Sequence, residues 1–184
     1  IKAESINTLS KEDIIAKSIN YHENGDLKNA KQYYELFLNE GFSDPAIISN
    51  YALIFQEEGD IEQATKLYEK SIREYPNSPD AYSNLDSIFI DQSKYEEAIV
   101  LTRKAIALKP NFSMAYNNLA TILIRQNKLD EAEKYIKKSI EYDPNNAESL
   151  FNQANISRQF GDLKKAEQAI LKVIRIKKNF SDAY

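Results

Sequence analysis

The chain has 184 residues, of which 42 % are hydrophobic, and a formal net charge of −4. It lacks cysteine, which excludes a disulfide framework, thiolate metal sites and cysteine nucleophiles. No apolar run approaches the length of a membrane span, no signal-peptide layout opens the chain, and the acidic balance argues against nucleic-acid binding. These properties predict a cytoplasmic protein without a membrane or nucleic-acid partner.

A period of 34 residues runs through the sequence. The alanines at this spacing are Ala30, Ala64, Ala98, Ala132 and Ala166, and the prolines are Pro76, Pro110 and Pro144. The period predicts one array of five repeats, at residues 11–44, 45–78, 79–112, 113–146 and 147–180. Residues 1–10 are expected to be an N-terminal flank or the remnant of a preceding helix, and residues 181–184 the start of a truncated sixth repeat.

Each repeat predicts two helices. In repeat 1, Ser10 and Asp13 have capping-box spacing before a helix from about residue 11 to 24. Gly25 and Asp26 then separate it from a second helix, from about residue 27 to 40.

The later repeats follow the same order. Their first helices have the N-cap candidates Asp44, Ser78 and Asn146, and the turns between their helices have Gly59, Ser93, Asn127 and Gly161. Where glycine is replaced in the turn, Ser93 and Asn127 are expected to serve as N-caps, because Glu96 and Asp130 follow at capping-box spacing.

Repeat 4 carries the fullest set of recurring residues. Counted from Ser113 as position 1, it has Tyr116 at position 4, Leu119 at 7, Ala120 at 8, Ala132 at 20, Ile136 at 24 and Pro144 at 32. This pattern resembles the tetratricopeptide repeat family. The resemblance implies an all-α fold, a right-handed superhelix (solenoid) of about five helix pairs, and a role in binding protein or peptide partners.

Two positions depart from the family pattern. Asp86 stands at position 8 of repeat 3, where the family has glycine or alanine and little room is expected. A carboxylate there is costly unless it is hydrogen-bonded, so we expect local distortion or a raised pKa. Phe37 and Val173 are large for position 27, where the family has a small residue.

No catalytic group of residues is found. The one histidine, His22, stands alone at position 12 of repeat 1, and the four glycines form neither a dinucleotide-binding nor a phosphate-binding loop. Adjacent carboxylates such as Glu57 and Glu58 point apart on a helix. The sequence therefore predicts a protein that is not an enzyme, with no catalytic residues, no metal site and no cofactor.

Asparagine recurs at position 6 in four repeats, as Asn50, Asn84, Asn118 and Asn152. In the family this face of the first helix lines the concave surface, and a carboxamide can both donate to and accept from a peptide backbone. The series is similar to that in the repeat array of O-linked N-acetylglucosamine transferase, which implies peptide binding. The alternative is that these asparagines only bond neighbouring repeats.

Other positions of the same face are expected to set specificity. Along this face, acidic residues in repeats 1 and 2 are followed by apolar residues and then by Arg125 and Arg158. This order suggests a ligand with a basic residue toward one end and an apolar residue in the middle. The predicted peptide site comprises Asn50, Asn84, Asn117, Asn118, Asn152, Ile90, Ile124 and Arg125. The two-carboxylate clamp that grips chaperone C-termini is disfavoured, because only its asparagine is matched.

Charge is distributed unevenly along the chain. Residues 1–92 have 8 Lys and Arg and 17 Asp and Glu, whereas residues 93–184 have 16 and 11. This asymmetry reflects drift of solvated surface charge, head-to-tail association of acidic and basic ends, or a partner of matching polarity. The last repeat is expected to be uncapped and to offer an apolar face around Phe160, Ile170 and Ile174 for end-to-end self-association. A further alternative is the substrate-recruiting arm of a larger glycosyltransferase or sulfotransferase type of enzyme.

Overall fold

The computed structural model describes the backbone of residues 9–181 and the side chains of residues 9–176. This part of the chain contains ten α-helices and no strand, which confirms the predicted all-α class with two helices per repeat. The helices are α1 (Lys11–Glu23), α2 (Leu27–Asn39), α3 (Pro45–Glu57), α4 (Ile61–Glu74), α5 (Pro79–Asp91), α6 (Tyr95–Leu108), α7 (Ser113–Arg125), α8 (Leu129–Tyr142), α9 (Ala147–Gln159) and α10 (Leu163–Ser181).

The chain forms two compact units, which meet in sequence between Ala81 and Tyr82 within α5. In the first unit α1 packs on α2, α3 packs on α4, and α2 contacts α3. Its core contains Ile14, Ala30, Tyr34, Phe37, Ile47 and Ile54. Each helix thus buries one apolar stripe against its partner and another against the next pair.

The second unit repeats this arrangement. Helix α7 packs on α8, α9 packs on α10, and the pairs are joined by contacts of α6 with α7 and of α8 with α9. One cluster contains Ala120, Ala132, Ile136 and Ile156, and a smaller one contains Ile90, Ala98 and Ile122. The first helices of successive pairs also touch, since α7 contacts α9.

Alanine at positions 8 and 20 explains the close pairing. Ala52 and Ala64 of repeat 2 are fully buried, as are Ala120 and Ala132 of repeat 4. A methyl group lets two helix backbones approach closely, whereas a larger side chain at this contact would separate them. The aromatic residues at positions 4 and 24 fill the remaining space, and Tyr34, Tyr68, Tyr82 and Tyr116 are buried.

Several predicted helix caps are confirmed. Ser10 and Asp13 form the reciprocal capping box of α1. The Asp26 side chain accepts from the Asn29 N–H, Asp44 accepts from two amides of α3, and Asn146 accepts from the Ser149 N–H. These contacts satisfy amides that have no partner within the first turn of the helix.

The predicted caps at Ser93 and Asn127 are wrong. Both residues have φ of 59°, in the left-handed region that glycine occupies in the equivalent turns at Gly25, Gly59 and Gly161. They therefore lie in the turn itself, and the N-caps of α6 and α8 are Lys94 and Lys128, which make no side-chain capping bond. The turn requires a residue with positive φ at this position, and a residue in that conformation does not cap the helix that follows.

The last helix is longer than the other second helices. Helices α4, α6 and α8 each end two residues before a proline, whereas Lys178 occupies that position in repeat 5 and α10 continues to Ser181. It therefore passes residue 180, where repeat 5 was expected to end. The predicted flank and the predicted sixth repeat fall largely on residues 1–8 and 182–184, outside the described residues. None of the described helices combines the length and the apolar character needed to cross a bilayer.

Candidate functional site

An open groove of about 470 Å³ lies in the second unit, between the first helices of repeats 3, 4 and 5. Five of the predicted site residues line it, namely Ile90, Asn117, Asn118, Arg125 and Asn152. Ser87, Thr121, Glu148 and Phe151 line it as well. The groove thus combines carboxamide, hydroxyl, charged and apolar side chains.

One face of α7 forms the floor of the groove. Asn117, Thr121 and Arg125 follow each other at intervals of four residues, which places them on one side of a helix. Ala120, on a neighbouring face of α7, is buried in the core. Packing against α8 therefore fixes the direction in which these polar side chains point.

Asn152 is held by two residues of the preceding repeat. Its Nδ2 atom donates to Asn117 Oδ1 at 3.0 Å and to Thr121 Oγ1 at 3.2 Å. Asn117 in turn donates from Nδ2 to Glu148 Oε2 at 3.2 Å, and Thr121 Oγ1 donates to the Asn117 carbonyl at 3.0 Å. These bonds tie α9 to α7 along the groove.

Asn118 makes the corresponding contacts with repeat 3. Its Nδ2 atom donates to the Ser83 carbonyl at 3.3 Å, to Ser83 Oγ at 3.2 Å and to Asp86 Oδ1. The side chain is 7 % exposed. Like Asn152, Asn118 uses its amide nitrogen to join neighbouring repeats.

Asp86 lies under the groove and is fully buried. Thr102 Oγ1 is 2.7 Å from its Oδ2 atom, and Asn118 bonds its Oδ1 atom. Burial raises the pKa of Asp86 to about 8, against the opposing effect of these two hydrogen bonds. The expected raised pKa is present, and the carboxyl group is hydrogen-bonded as well.

Arg125 is bound to the C-terminal end of α5. Its Nη1 atom donates to the Ile90 carbonyl at 2.7 Å, and its Nη2 atom lies 2.7 Å from Asp91 Oδ1. The Ile90 carbonyl also accepts from the Ser93 N–H at 3.0 Å, so the guanidinium adds a second bond at the end of the helix and neutralises an exposed carboxylate.

Three predicted site residues lie elsewhere. Asn50 belongs to the first unit, where its side chain lies beside the hydroxyl of Tyr34. Ile124 packs against the core cluster formed by Ala120, Ala132, Ile136 and Ile156. Asn84 is half-buried on α5, outside the lining of the groove.

Sequence reasoning did not assign Val173 and Ala147 to the groove, although both line it. Val173 comes from α10, a second helix, whereas the repeat pattern places only first helices on this surface. The signal that could have found it is its size, because position 27 has a small residue in the family pattern.

Comparison with known proteins identifies the repeat. Sequence models described as tetratricopeptide repeat match residues 50–78, 89–150 and 135–168. No curated protein matches the chain.

Solved structures share the fold. A structure of PilF from Pseudomonas aeruginosa has a TM-score of 0.74 and 21 % identity, with 94 % of this chain and 85 % of that chain covered. MamA 41-end from Desulfovibrio magneticus RS-1 has a TM-score of 0.68 and 17 % identity, with 92 % and 96 % covered. A further MamA structure has a TM-score of 0.65 and 17 % identity, with 94 % of each chain covered.

The sequence matches fall on repeats 2 to 5, which also have the helix pairs, the buried alanines and the left-handed turns described above. The chain therefore belongs to the tetratricopeptide repeat family.

Proposed function

We propose that this chain is a non-enzymatic scaffold that binds an extended segment of a partner protein in the groove of repeats 3 to 5. The observation that carries this proposal is the groove itself, which brings Asn117, Asn118 and Asn152 together beside the half-exposed ring of Phe151. Its volume of about 470 Å³ lies within the range of small-ligand sites.

The chemistry of the groove suits a peptide in extended form. Fixed polar groups can pair with peptide N–H groups, and the Phe151 ring offers apolar area to a side chain. A rigid, hydrogen-bonded floor also lowers the entropic cost of binding, because the receptor side chains are ordered beforehand. An arm that recruits substrates for a larger enzyme would use the groove in the same way.

The proposal can be tested by NMR mapping. A peptide selected from an array is titrated into the ¹⁵N-labelled chain, and the side-chain amide signals of Asn118 and Asn152 are followed together with the backbone of α7 and α9. We expect the largest shifts there. Perturbations confined to other helices would contradict the proposal.

A groove-filling variant provides the matched control. Ala147 lines the groove, whereas Ala107 is exposed on α6 and does not. Ala147→Tyr is expected to weaken peptide binding at least about tenfold, which is a loss of about 1.4 kcal/mol. Ala107→Tyr adds the same side chain elsewhere and is expected to leave binding unchanged.

Self-association is a second candidate function. Leu171 is 46 % and Ile174 is 56 % exposed on α10, and Phe160 and Leu163 are exposed just before them. Apolar groups at this density favour contact with another protein surface, and the acidic N-terminal half of the sequence complements the basic C-terminal half. Sedimentation over a concentration series tests it: the double variant Leu171→Gln, Ile174→Gln is expected to be monomeric at concentrations where the parent chain associates.

A further inference from the structure

The hydrogen bonds in the groove have a fixed direction. Glu148 is a carboxylate and can only accept, so Asn117 must turn Nδ2 toward it, at 3.2 Å. Asn117 Oδ1 then accepts from Asn152 Nδ2. The second amide hydrogen of Asn152 is directed at Thr121 Oγ1. Both donors of Asn152 are used, and its Oδ1 atom has no partner among the described residues.

Asn118 has the same orientation for an independent reason. The Ser83 carbonyl, 3.3 Å from Asn118 Nδ2, can only accept, so the carboxamide cannot be reversed. Its Oδ1 atom has no partner among the residues that the structure describes, although the side chain is 7 % exposed and lines the groove. Asn118 and Asn152 therefore leave acceptors, and not donors, for a ligand.

The charged groups of the groove point to the same kind of ligand. Arg125 is paired with Asp91 at 2.7 Å and bonds the end of α5. Glu148 has no cationic partner within the described part of the chain. Of the Lys and Arg residues between positions 93 and 184, only Arg125 and Arg158 lie on α7 or α9, so the basic excess of this half is carried mainly outside the groove helices.

Phe151 provides a surface beside this carboxylate. It is 51 % exposed, lines the groove and follows Glu148 by three residues on α9, which places both on one face of the helix. Aromatic rings attract Lys and Arg side chains through cation–π contacts and through the methylene groups of those side chains.

We propose that the groove selects an extended segment carrying a Lys or Arg side chain, which lies against Phe151 and pairs with Glu148, while peptide N–H groups of the segment donate to Asn118 Oδ1 and Asn152 Oδ1. This inference rests on the proposed peptide-binding function and specifies its ligand. An acidic segment would instead place its carboxylate beside Glu148 and the two carboxamide oxygens.

The probe is a positional-scanning library of peptides of about twelve residues, long enough to span the groove when extended. The central residue is Arg, Lys, Glu or Leu, and the flanking positions use one common mixture. We expect the Arg and Lys pools to be retained in preference to the Glu and Leu pools. The affinity of the best Arg peptide is then measured by fluorescence anisotropy at about 0.05 and 0.3 M NaCl, because an ion pair is screened more strongly at the higher salt concentration.

Matched variants locate the interaction. Glu148→Gln is expected to weaken the Arg peptide about fivefold to tenfold and to remove most of the salt dependence, as loss of one partly exposed ion pair predicts. Glu131→Gln removes the same charge from the exposed first turn of α8 and is expected to leave affinity within about twofold. Phe151→Leu keeps apolar area but removes the ring, and is expected to weaken Arg peptides more than Leu peptides.

The outcomes separate the two proposals. Retention of Glu or Leu pools in preference to basic ones, or an unchanged affinity in Glu148→Gln, overturns the preference for a basic side chain and leaves peptide binding in place. If no pool of any charge binds, the proposed function is wrong and this inference falls with it.

Discussion

Asp86 and Thr102 form a buried hydrogen-bonded pair in repeat 3. Thr102 Oγ1 lies 2.7 Å from Asp86 Oδ2, and both side chains are fully buried. Elsewhere position 8 has a small residue and position 24 a large one, such as Ala52 with Tyr68. In repeat 3 the two positions differ less in size, since Asp86 is larger than alanine and Thr102 is smaller than tyrosine, and the two side chains are hydrogen-bonded.

The neutral form of Asp86 fits this network better than the ionised form. Thr102 Oγ1 lies near both Asp86 Oδ2 and the Ala98 carbonyl, at 2.7 and 2.8 Å, and has one hydrogen to donate. If Asp86 is protonated, it donates to Thr102, which donates to Ala98, and every group is satisfied. If Asp86 is ionised, two acceptors compete for the single Thr102 hydrogen.

We predict that stability falls between about pH 4 and pH 8 because of Asp86. Its pKa in the folded state is raised from 3.8 to about 8, so within this window the folded chain holds a proton that the unfolded chain has lost. The contribution is complete below pH 4 and is lost as pH rises through the folded pKa. The slope attributable to Asp86 is about 1.4 kcal/mol per pH unit at most.

Asp86→Asn isolates this effect, because asparagine can donate to Thr102 and accept from Asn118 without titrating. Urea unfolding of both proteins at several pH values gives the difference in unfolding free energy. The unfolding free energy of the variant, relative to that of the parent chain, is expected to increase steadily from pH 5 to pH 8. A constant difference across that range would show that Asp86 is already ionised in the folded state.

We predict that Asp86 and Thr102 are energetically coupled. Asp86→Ala leaves a cavity beside Thr102, and Thr102→Ile removes the hydroxyl that satisfies the carboxyl group, so each change alone is expected to cost about 1–3 kcal/mol. The double variant restores the combination present in repeat 4, Ala120 with Ile136. It is expected to be at least as stable as the parent chain.

A double-mutant cycle measures this coupling by denaturant unfolding. The expected interaction free energy is at least about 2 kcal/mol in favour of the double variant. Additive losses would mean that the two side chains do not compensate each other.

The helices and most of their caps could be predicted from the sequence because their determinants are local. The capping box of Ser10 and Asp13 depends on residues three apart, and alanine periodicity marks the helix contacts directly. The turn at Ser93 shows the limit of this reasoning. Serine favours N-caps, yet the turn required a left-handed residue there, and the 34-residue period was the better guide than capping preference.

The candidate site could be predicted only in part. Periodicity placed Asn118 and Asn152 on the helix face that lines the groove, but the direction of each carboxamide depends on acceptors in the preceding repeat, such as the Ser83 carbonyl. Likewise, Asp86 was recognised as unusual, but its partner Thr102 lies 16 residues away at a position that the family pattern assigns to a large apolar residue. Interactions between side chains of different helices required the three-dimensional structure.

We predict that Ser93→Gly stabilises the chain by about 0.5–1 kcal/mol, because Ser93 has φ of 59° and a side chain is unfavourable in the left-handed region. Asn127 has the same φ, but asparagine tolerates this region better, so Asn127→Gly is expected to increase stability by a smaller amount. Thermal unfolding compares the two. Gln92→Gly, at the preceding exposed position, serves as control and is expected to be neutral or destabilising.

We predict opposite effects of one substitution at two equivalent serines. Ser71 and Ser139 both occupy position 27 and are fully buried. Ser139 Oγ donates to the Ser113 carbonyl at 2.8 Å and contacts Ser149 Oγ at 2.6 Å, whereas Ser71 Oγ has no hydrogen-bond partner among the described residues.

Ser71→Ala is therefore expected to raise the free energy of unfolding by about 1 kcal/mol, because a buried hydroxyl without a partner is lost. Ser139→Ala is expected to lower it by about 1–2 kcal/mol, since it leaves the acceptor of Ser113 and the hydroxyl of Ser149 without their partner. Urea unfolding of the two single variants measures both changes in the free energy of unfolding. Equal destabilisation in both would show that the Ser71 hydroxyl is satisfied in solution by a bound water molecule.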